Sequence, residues 1–421
     1  MYDIYSDRNP AFFIRQKLFG SKVTVFGLVM IVFALVIASL GYLIMPDDTP
    51  YANDGMLEIA RQPPGFKVKV LKLKKDFDVP RAGLFEKMFF GQENPYELVP
   101  LAEEPIVEGD SVFYVVYPGI EKENARTTER LTLSYPIVRC VKSIYVGKSE
   151  KLGRNIPVNF VTSEDRYIFL DPDESVRSVL KEDLYEEFWE QNIEEKVYYL
   201  GTDKIGRDVM SRLMYGARIS LMIGFLAVLI SLLTGLFLGS VAGFFGGIVD
   251  SVIMWLMTVV WSLPTIMLVV AIRLVLQSDD IWVTFLAVGL TMWVEIARIV
   301  RGQITSIKQK QYVEAARALG FSKRRIIFNH ILPNIVGSLI VVSASNFATA
   351  ILVEAGLSFL GLGGPLSMPS WGVMIKEGLS ELTPSGQWHL IILPCVCISL
   401  MVLAFNLLGN GLRDAYDPHT K

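Results

Sequence analysis

At 421 residues, with 52% hydrophobic side chains and a mean hydropathy of +0.40, the chain is too apolar for a soluble globular protein, and its long apolar runs place it in the membrane class. The formal net charge of −3 hides a segregation: residues 47–200 carry 29 acidic and 20 basic side chains, net −9, so the remainder carries +6. Such a split suggests opposite sides of a bilayer, and no nucleic-acid partner is expected.

Residues 1–22 carry Arg8, Arg15, Lys17 and Lys22 ahead of an uninterrupted apolar run, Val23 to Met45. That run is long enough to cross about 30 Å of hydrocarbon, longer than a secretory signal core, and no small-residue cleavage site follows it. Residues 23–46 therefore read as a retained first transmembrane helix, with 1–22 a cytoplasmic amino-terminal segment. The character then changes. Phe66 to Lys74 alternates as a half-buried strand, and Ser111 to Tyr117, Arg130 to Val146 and Arg166 to Leu170 are rich in β-branched and aromatic residues between breaks. Ser175 to Lys196 has Val176, Leu180, Leu184 and Phe188 four apart and is expected to be helical. Residues 47–199 thus form an inserted α+β domain, with no metal-ligand cluster, nucleophile motif or phosphate loop. Cys140 stands alone there and would bridge only to a partner chain, while Cys395 and Cys397 lie in an apolar run and pack as small hydrophobes.

Residues 200–421 are the second apolar body. Between Leu200 and Leu221, Val209 with Leu213 and Met210 with Met214 make an apolar stripe, and Asp208 is spaced to pair with Arg212, which predicts an interfacial helix. Apolar spans follow near Ile219 to Phe244, Val252 to Leu276, Ile281 to Val300, Ile335 to Leu362 and His389 to Leu408, making six with the first. From a cytoplasmic amino end, the acidic domain falls outside, and the basic loop at 301–334 and the carboxyl end fall inside. Arg207, Arg212 and Arg218 disagree, lying outside in this scheme. Gly235, Gly239 and Gly243, and Ala344, Ala348 and Ala355, are faces for close helix packing. Glu295 and Arg298 are spaced to pair, and Arg273 is expected to snorkel to the outer surface. Asn346, Glu354 and Asn406 should face protein or water, either lining a polar substrate path or making helix-helix hydrogen bonds.

The organising stretch is Gln311 to Asn334, QYVEAARALGFSKRRIIFNHILPN. Gln303 to Leu319 is helical in composition, Gly320 can take the positive φ that ends a helix, Ser322 can cap a second, and Pro333 limits that second helix. Ala315, Ala316 and Ala318 leave a face open to close approach by another protein, with Glu314 and Arg317 at its flank. By composition alone this is equally a solvated loop with helical ends.

The order Glu314, Ala315, Ala316, Arg317, Ala318, Leu319, Gly320, then Leu332 and Pro333 resembles the EAA loop of bacterial ABC importer permeases. Gly201, Thr202, Asp203, Gly206, Arg207, Asp208, Ser211, Arg212, Tyr215, Gly216, Arg218 and Ser220 are similar to the dipeptide, oligopeptide and nickel importer permeases. So are Glu354 to Gly363, Pro369 to Gly372 and Val402 to Pro418, whereas 47–199 has no counterpart in the usual short connection. The resemblance implies an all-α polytopic fold of six transmembrane helices, type I importer permease-like, interrupted by an extracytoplasmic α+β domain. It also implies partners: a second homologous permease, two cytoplasmic ATPase subunits that bind ATP and magnesium, an external substrate-binding protein, and the bilayer of the inner membrane. The chain itself has no G-x-x-x-x-G-K-[ST] loop, so no cofactor or ATP hydrolysis is expected of it. Short peptides are the expected substrate, with nickel or another small solute as the alternative. A secondary transporter would need midplane carboxylates, of which Glu354 is the one candidate. An intramembrane hydrolase would need motifs that His330, His389 and His419 do not supply.

Overall fold

The computed structural model describes residues 10–119, 132–146, 159–278, 280–365, 367–385 and 387–416. Arg8, residues 130–131 of one expected strand, residues 417–418 of the last family segment and His419 lie outside them. The chain divides into two compact units: residues 1–39, 216–379 and 391–421 form one, and residues 40–215 with 380–390 form the other.

Helix α1 (Pro10–Gly20), not anticipated from sequence, is followed by α2 (Lys22–Ile44), whose start is capped by Ser21 accepting from Thr24 N at 3.4 Å. Among the described residues, the second unit is built on three antiparallel sheets of three strands, ordered β2-β1-β9, β3-β4-β5 and β6-β7-β8. In chain order its elements are β1 (Phe66–Lys74), α3 (Leu84–Phe90), β2 (Tyr96–Leu101), β3 (Ile106–Glu108), β4 (Ser111–Val115), β5 (Thr132–Pro136), α4 (Ile137–Val141), β6 (Phe160–Thr162), β7 (Arg166–Leu170), β8 (Val176–Leu180), α5 (Lys181–Gln191) and β9 (Ile193–Tyr198). Strand β1 serves two cores because alternate residues point to opposite faces. Val68 and Val70 pack with Met56, Ile59 and Tyr198, whereas Leu71 and Leu73 join Tyr167, Leu184 and Phe188. Buried Asn192 ties the layers by donating to Lys72 O at 2.6 Å and Cys140 O at 2.7 Å.

Two expectations fail here. Ile137–Val141 is a helix inside the expected strand, since Pro136 cannot donate to a ladder. The helix expected over Ser175 to Lys196 is restricted to α5, with β8 before it and β9 after it. Cys140, whose pairing the sequence leaves open, is fully buried, and burial pushes its thiol up to about 12.

The first unit holds α6 (Val209–Phe245), α7 (Gly247–Ser262), α8 (Thr265–Leu276), α9 (Ile281–Ile307), α10 (Gln311–Ala318), α11 (Lys323–Arg325), a π-helical turn (Ile326–Ile331), α12 (Leu332–Phe359), α13 (Trp371–Ser385) and α14 (His389–Tyr416), the start of α6, the end of α13 and the start of α14 belonging to the other unit. Among the described residues, five helices are long and apolar enough to cross a membrane, six if the bent pair α7–α8 is one span. That pair covers the span expected over Val252 to Leu276, and it bends by 98° at Leu263–Pro264, where proline lacks the N–H a continuous helix needs. Glycine spacing explains the tightest helix packing. A Cβ at Gly235, Gly239 or Gly243 would lie 2.8 Å from Trp293 O, 2.5 Å from Ala297 O or 2.9 Å from Arg301 O, so α6 and α9 meet backbone to backbone.

Two charged groups depart from expectation. Arg273 does not snorkel; it is 5% exposed, donating to Thr284 Oγ1 at 3.2 Å and to the carbonyls of Leu362 and Gly363. Arg298 does not pair with Glu295. Its guanidinium lies 3.5 Å over the Trp261 ring, and Glu295 is exposed.

Candidate functional site

The elbow is made by a break, a glycine and a cap. The expected continuous helix from Gln303 to Leu319 is interrupted at 308–310, and α10 starts afresh at Gln311. It ends on Gly320 at φ +76°, with Phe321 N donating to Ala316 O at 3.1 Å and Gly320 N to Arg317 O at 3.0 Å. This paired bonding is the Schellman motif, and Phe321 and Ala316 supply its apolar contact. Ser322 then accepts from Arg325 N at 3.4 Å and opens the second arm. Pro333 does not limit that arm. The π-helical turn Ile326–Ile331 runs directly into α12 with proline in its first turn, and the wider turn relieves the clash a proline ring makes with the preceding turn.

One face of the elbow is anchored and the other open. Val313, Ala316, Ile326 and Ile331 are buried against Val300, Ile304 and Ile335 in the bundle core, with Leu332 at its edge. Glu314, Ala315, Arg317, Ala318 and Gly320 are exposed, and Leu319 stands 74% exposed at the tip. Ala316 is therefore the one alanine of the three that packs inward. Around the open face lie the exposed Lys323, Arg324 and Arg325, the last stacked 4.1 Å over Phe321. Two further supports are absent from the sequence analysis. Arg301 grips Asp250 with two bonds of 2.5 and 2.6 Å, and Lys308 donates to Gly243 O at 3.0 Å, so α9 holds α6 and α7 beside the elbow. Only the lone acidic residue of α7, Asp250, signals the first in sequence.

The three expected polar residues of the spans are not together on one open surface. Glu354 is buried, accepting from Ser358 Oγ at 2.7 Å and Ser220 Oγ at 3.5 Å. Ser220 also accepts from Trp371 N at 3.3 Å, so this node joins α6, α12 and α13. Asn346 is buried with its Nδ2 unpartnered, and Asn406 is exposed on α14.

The Leu200–Leu221 stretch is not a separate interfacial helix. It is a loop closed by a Thr202–Asp208 bridge that feeds directly into α6. Gly201 and Gly206 hold φ +77° and +78° against the carbonyls of Gln62 and Met56, space that no Cβ could share. Arg212 bonds Asp203, not Asp208; Arg207 Nε joins the same carboxylate at 2.7 Å. Burial by itself pushes the Asp203 carboxyl up, but Arg212, Arg207 and two backbone N–H groups outweigh it and hold it below the usual range. Asp208 instead accepts from Ser211 N at 2.7 Å and Ser211 Oγ at 2.5 Å, and burial pushes it up. Arg218 donates to Ala38 O at 2.7 Å and Ser39 O at 3.2 Å.

Long apolar helices interrupted by an amphipathic elbow with an open small-residue face define a polytopic helical membrane protein. Residues 235–421 match the binding-protein-dependent transport system inner membrane component family. The dipeptide transport system permease protein DppC of Bacillus subtilis is 43% identical over 251 residues, 59% of this chain and 75% of that protein. The oligopeptide transport system permease protein OppC of the same organism is 41% identical over 53% of this chain and 72% of that protein. The glutathione transport system permease protein GsiD of Pectobacterium atrosepticum is 41% identical over 53% and 73%. A chain of the MetNI methionine ABC transporter in an inward-facing conformation superposes with a TM-score of 0.40 at 17% identity, over 49% of this chain and 96% of that one. The chain belongs to the binding-protein-dependent transport inner membrane components, the permease subunits of ABC importers.

Proposed function

We propose that this chain is one half of the translocation pathway of an ATP-driven importer of short peptides, in which residues 311–320 carry motion from partner ATPases into the bundle. The peptide substrate follows from relatives named for dipeptide, oligopeptide and glutathione transport. In this reading six helices cross the inner membrane with both chain ends cytoplasmic, α7 and α8 together counting as one, and residues 47–199 form an extracytoplasmic α+β domain. A second homologous permease completes the pathway, two ATPases bind ATP and magnesium, and an external binding protein delivers substrate. In that orientation Arg207 and Arg212 lie outside sharing the Asp203 carboxylate, which offsets one of their two charges, and Arg218 is bonded to backbone carbonyls.

The observation that carries the proposal is the two-faced elbow. Val313 and Ala316 key it into the core between α9 and α12, so a push on the tip is delivered to two spans, while Glu314, Ala315, Arg317, Ala318 and Leu319 remain free to dock. ATP binding would draw the ATPases together and rock the bundle between its two openings as a rigid body. Glu314→Lys and Gly320→Pro, in the assembly purified from its own membrane with its partners, should leave insertion intact and ATP hydrolysis running while peptide uptake fails. Normal uptake by both variants would overturn the assignment.

A further inference from the structure

Helix α3, LFEKMFF at Leu84–Phe90, presents a largely exposed apolar surface. Leu84, Phe85, Phe89 and Phe90 are 67%, 76%, 56% and 73% exposed, and Phe77 shortly before them is exposed as well. Leu84, Phe85, Met88 and Phe89 share one helical stripe, with Glu86 and Lys87 on the opposite side. This is no loosely held loop. Gln92 closes its base, accepting from Ala82 N at 2.7 Å and donating to Pro80 O at 3.1 Å.

The base is fixed at one place. Gln92 N donates to Asp48 O at 2.9 Å, Lys87 Nζ meets Asp48 Oδ2 at 2.6 Å, and Gly91 packs so closely that a Cβ would lie 2.9 Å from the Tyr42 ring. Asp48 is four residues beyond Ile44, the last residue of α2, and Leu40, Leu43 and Ile44 are themselves exposed apolar side chains. A seven-residue helix is about 10 Å long, so all of α3 lies close to the point where α2 leaves the hydrocarbon. The exposed stripe of α3 and the exposed last turn of that span thus lie on segments joined at their bases. Exposed Arg81, and Lys75 over the Phe77 ring at 5.7 Å, place cations beside the aromatics, the composition of a segment seated at the headgroup boundary.

We propose that α3 is a membrane-interface anchor: Leu84, Phe85 and Phe89 insert at the boundary of headgroups and acyl chains beside α2, holding the base of the inserted domain against the bilayer. The proposal rests only on α2 crossing the membrane, and stands whatever the substrate or the role of the elbow. A phospholipid surface is favoured over a protein partner because the base of α3 is fixed beside the end of α2, whose last turn is itself exposed and apolar.

The test places a photo-reactive benzoylphenylalanine at Phe85 or Phe89 of the full chain in its native membrane, with exposed Trp189 on α5 as the comparison position. After illumination, mass spectrometry should find phospholipid adducts at Phe85 and Phe89 several-fold more abundant than at Trp189. Adducts to a binding protein or to a second copy of this chain, or lipid adducts no more abundant than at Trp189, would overturn the anchor. These exposed sites accept another aromatic without disturbing a core, and peptide uptake measured on the same variants reports separately on the transport proposal.

Discussion

Replacing Gly320 with alanine isolates the cost of the turn that closes the elbow. A methyl group built at this position meets no heavy atom within 4 Å, so the substitution creates no clash. The penalty is the backbone alone: at φ +76° a residue with a Cβ costs about 1–2 kcal/mol, and asparagine less. That is about a 5–30-fold shift between the closed turn and its frayed form. The reporter is the Phe321 amide, whose bond to Ala316 O at 3.1 Å exists only when the turn is closed. Its hydrogen exchange, followed in the full chain in lipid nanodiscs, should speed up about 5–30-fold in Gly320→Ala and less in Gly320→Asn. Gly302 in α9 also has open space around it but a helical backbone, so Gly302→Ala should stabilise by about 0.5–1 kcal/mol. Equal Phe321 protection in wild type and Gly320→Ala would refute the reasoning.

The buried acidic sites give three more expectations. Asp203→Asn removes the carboxylate shared by Arg207 and Arg212 and should cost about 3–5 kcal/mol, seen as a lowered thermal midpoint of the detergent-solubilised chain; an unchanged midpoint contradicts the pairing. Glu354→Leu should cost about 1–3 kcal/mol by stranding the hydroxyls of Ser358 and Ser220, whereas Glu354→Gln should retain most of the stability, again by thermal midpoint. Burial raises the Asp47 carboxyl from 3.8 to about 6, so the folded chain holds this proton more tightly than the unfolded one. Its contribution is full below about pH 4 and is lost as pH rises through about 6, on the order of 3 kcal/mol in all. The midpoint difference between wild type and Asp47→Asn should therefore change across that window and be flat above it.

The parts legible in the sequence were those where one pattern has one structural meaning. Phe66 to Lys74 alternates, with one change of phase at Val70–Leu71, and is β1; Gly320 and Ser322 sit where only a helix stop and a helix start make sense, and form both. Val176, Leu180, Leu184 and Phe188 misled because a spacing of four keeps residues on one face of a strand as well as of a helix, so β8 and α5 share one unbroken pattern. Asp208 and Arg212 were a plausible helical pair, yet the carboxylate that wins is Asp203, brought round by the turn at Gly206. Arg273 looked like a span-end cation seeking water. Its partners are carbonyls nearly ninety residues later, a closure no local spacing reveals. Pro264 did announce the bend within Val252 to Leu276, and apolar length alone concealed it. Among the site residues, spacing could group Ala315, Ala316 and Ala318 as one small face, but only the fold turns Ala316 inward and leaves the other two open.

The central claim is that the open face of the elbow docks the ATPases. It is tested most directly by affinity purification of the chain from gently solubilised membranes, wild type beside Leu319→Asp, with the co-purifying proteins identified by mass spectrometry. A charge at this exposed tip should leave the fold and the second permease in place. The account predicts two ATPase copies and a second permease with the wild type, and loss of the ATPases alone with the variant. ATPases retained undiminished by Leu319→Asp, or absent from the wild type, would contradict it.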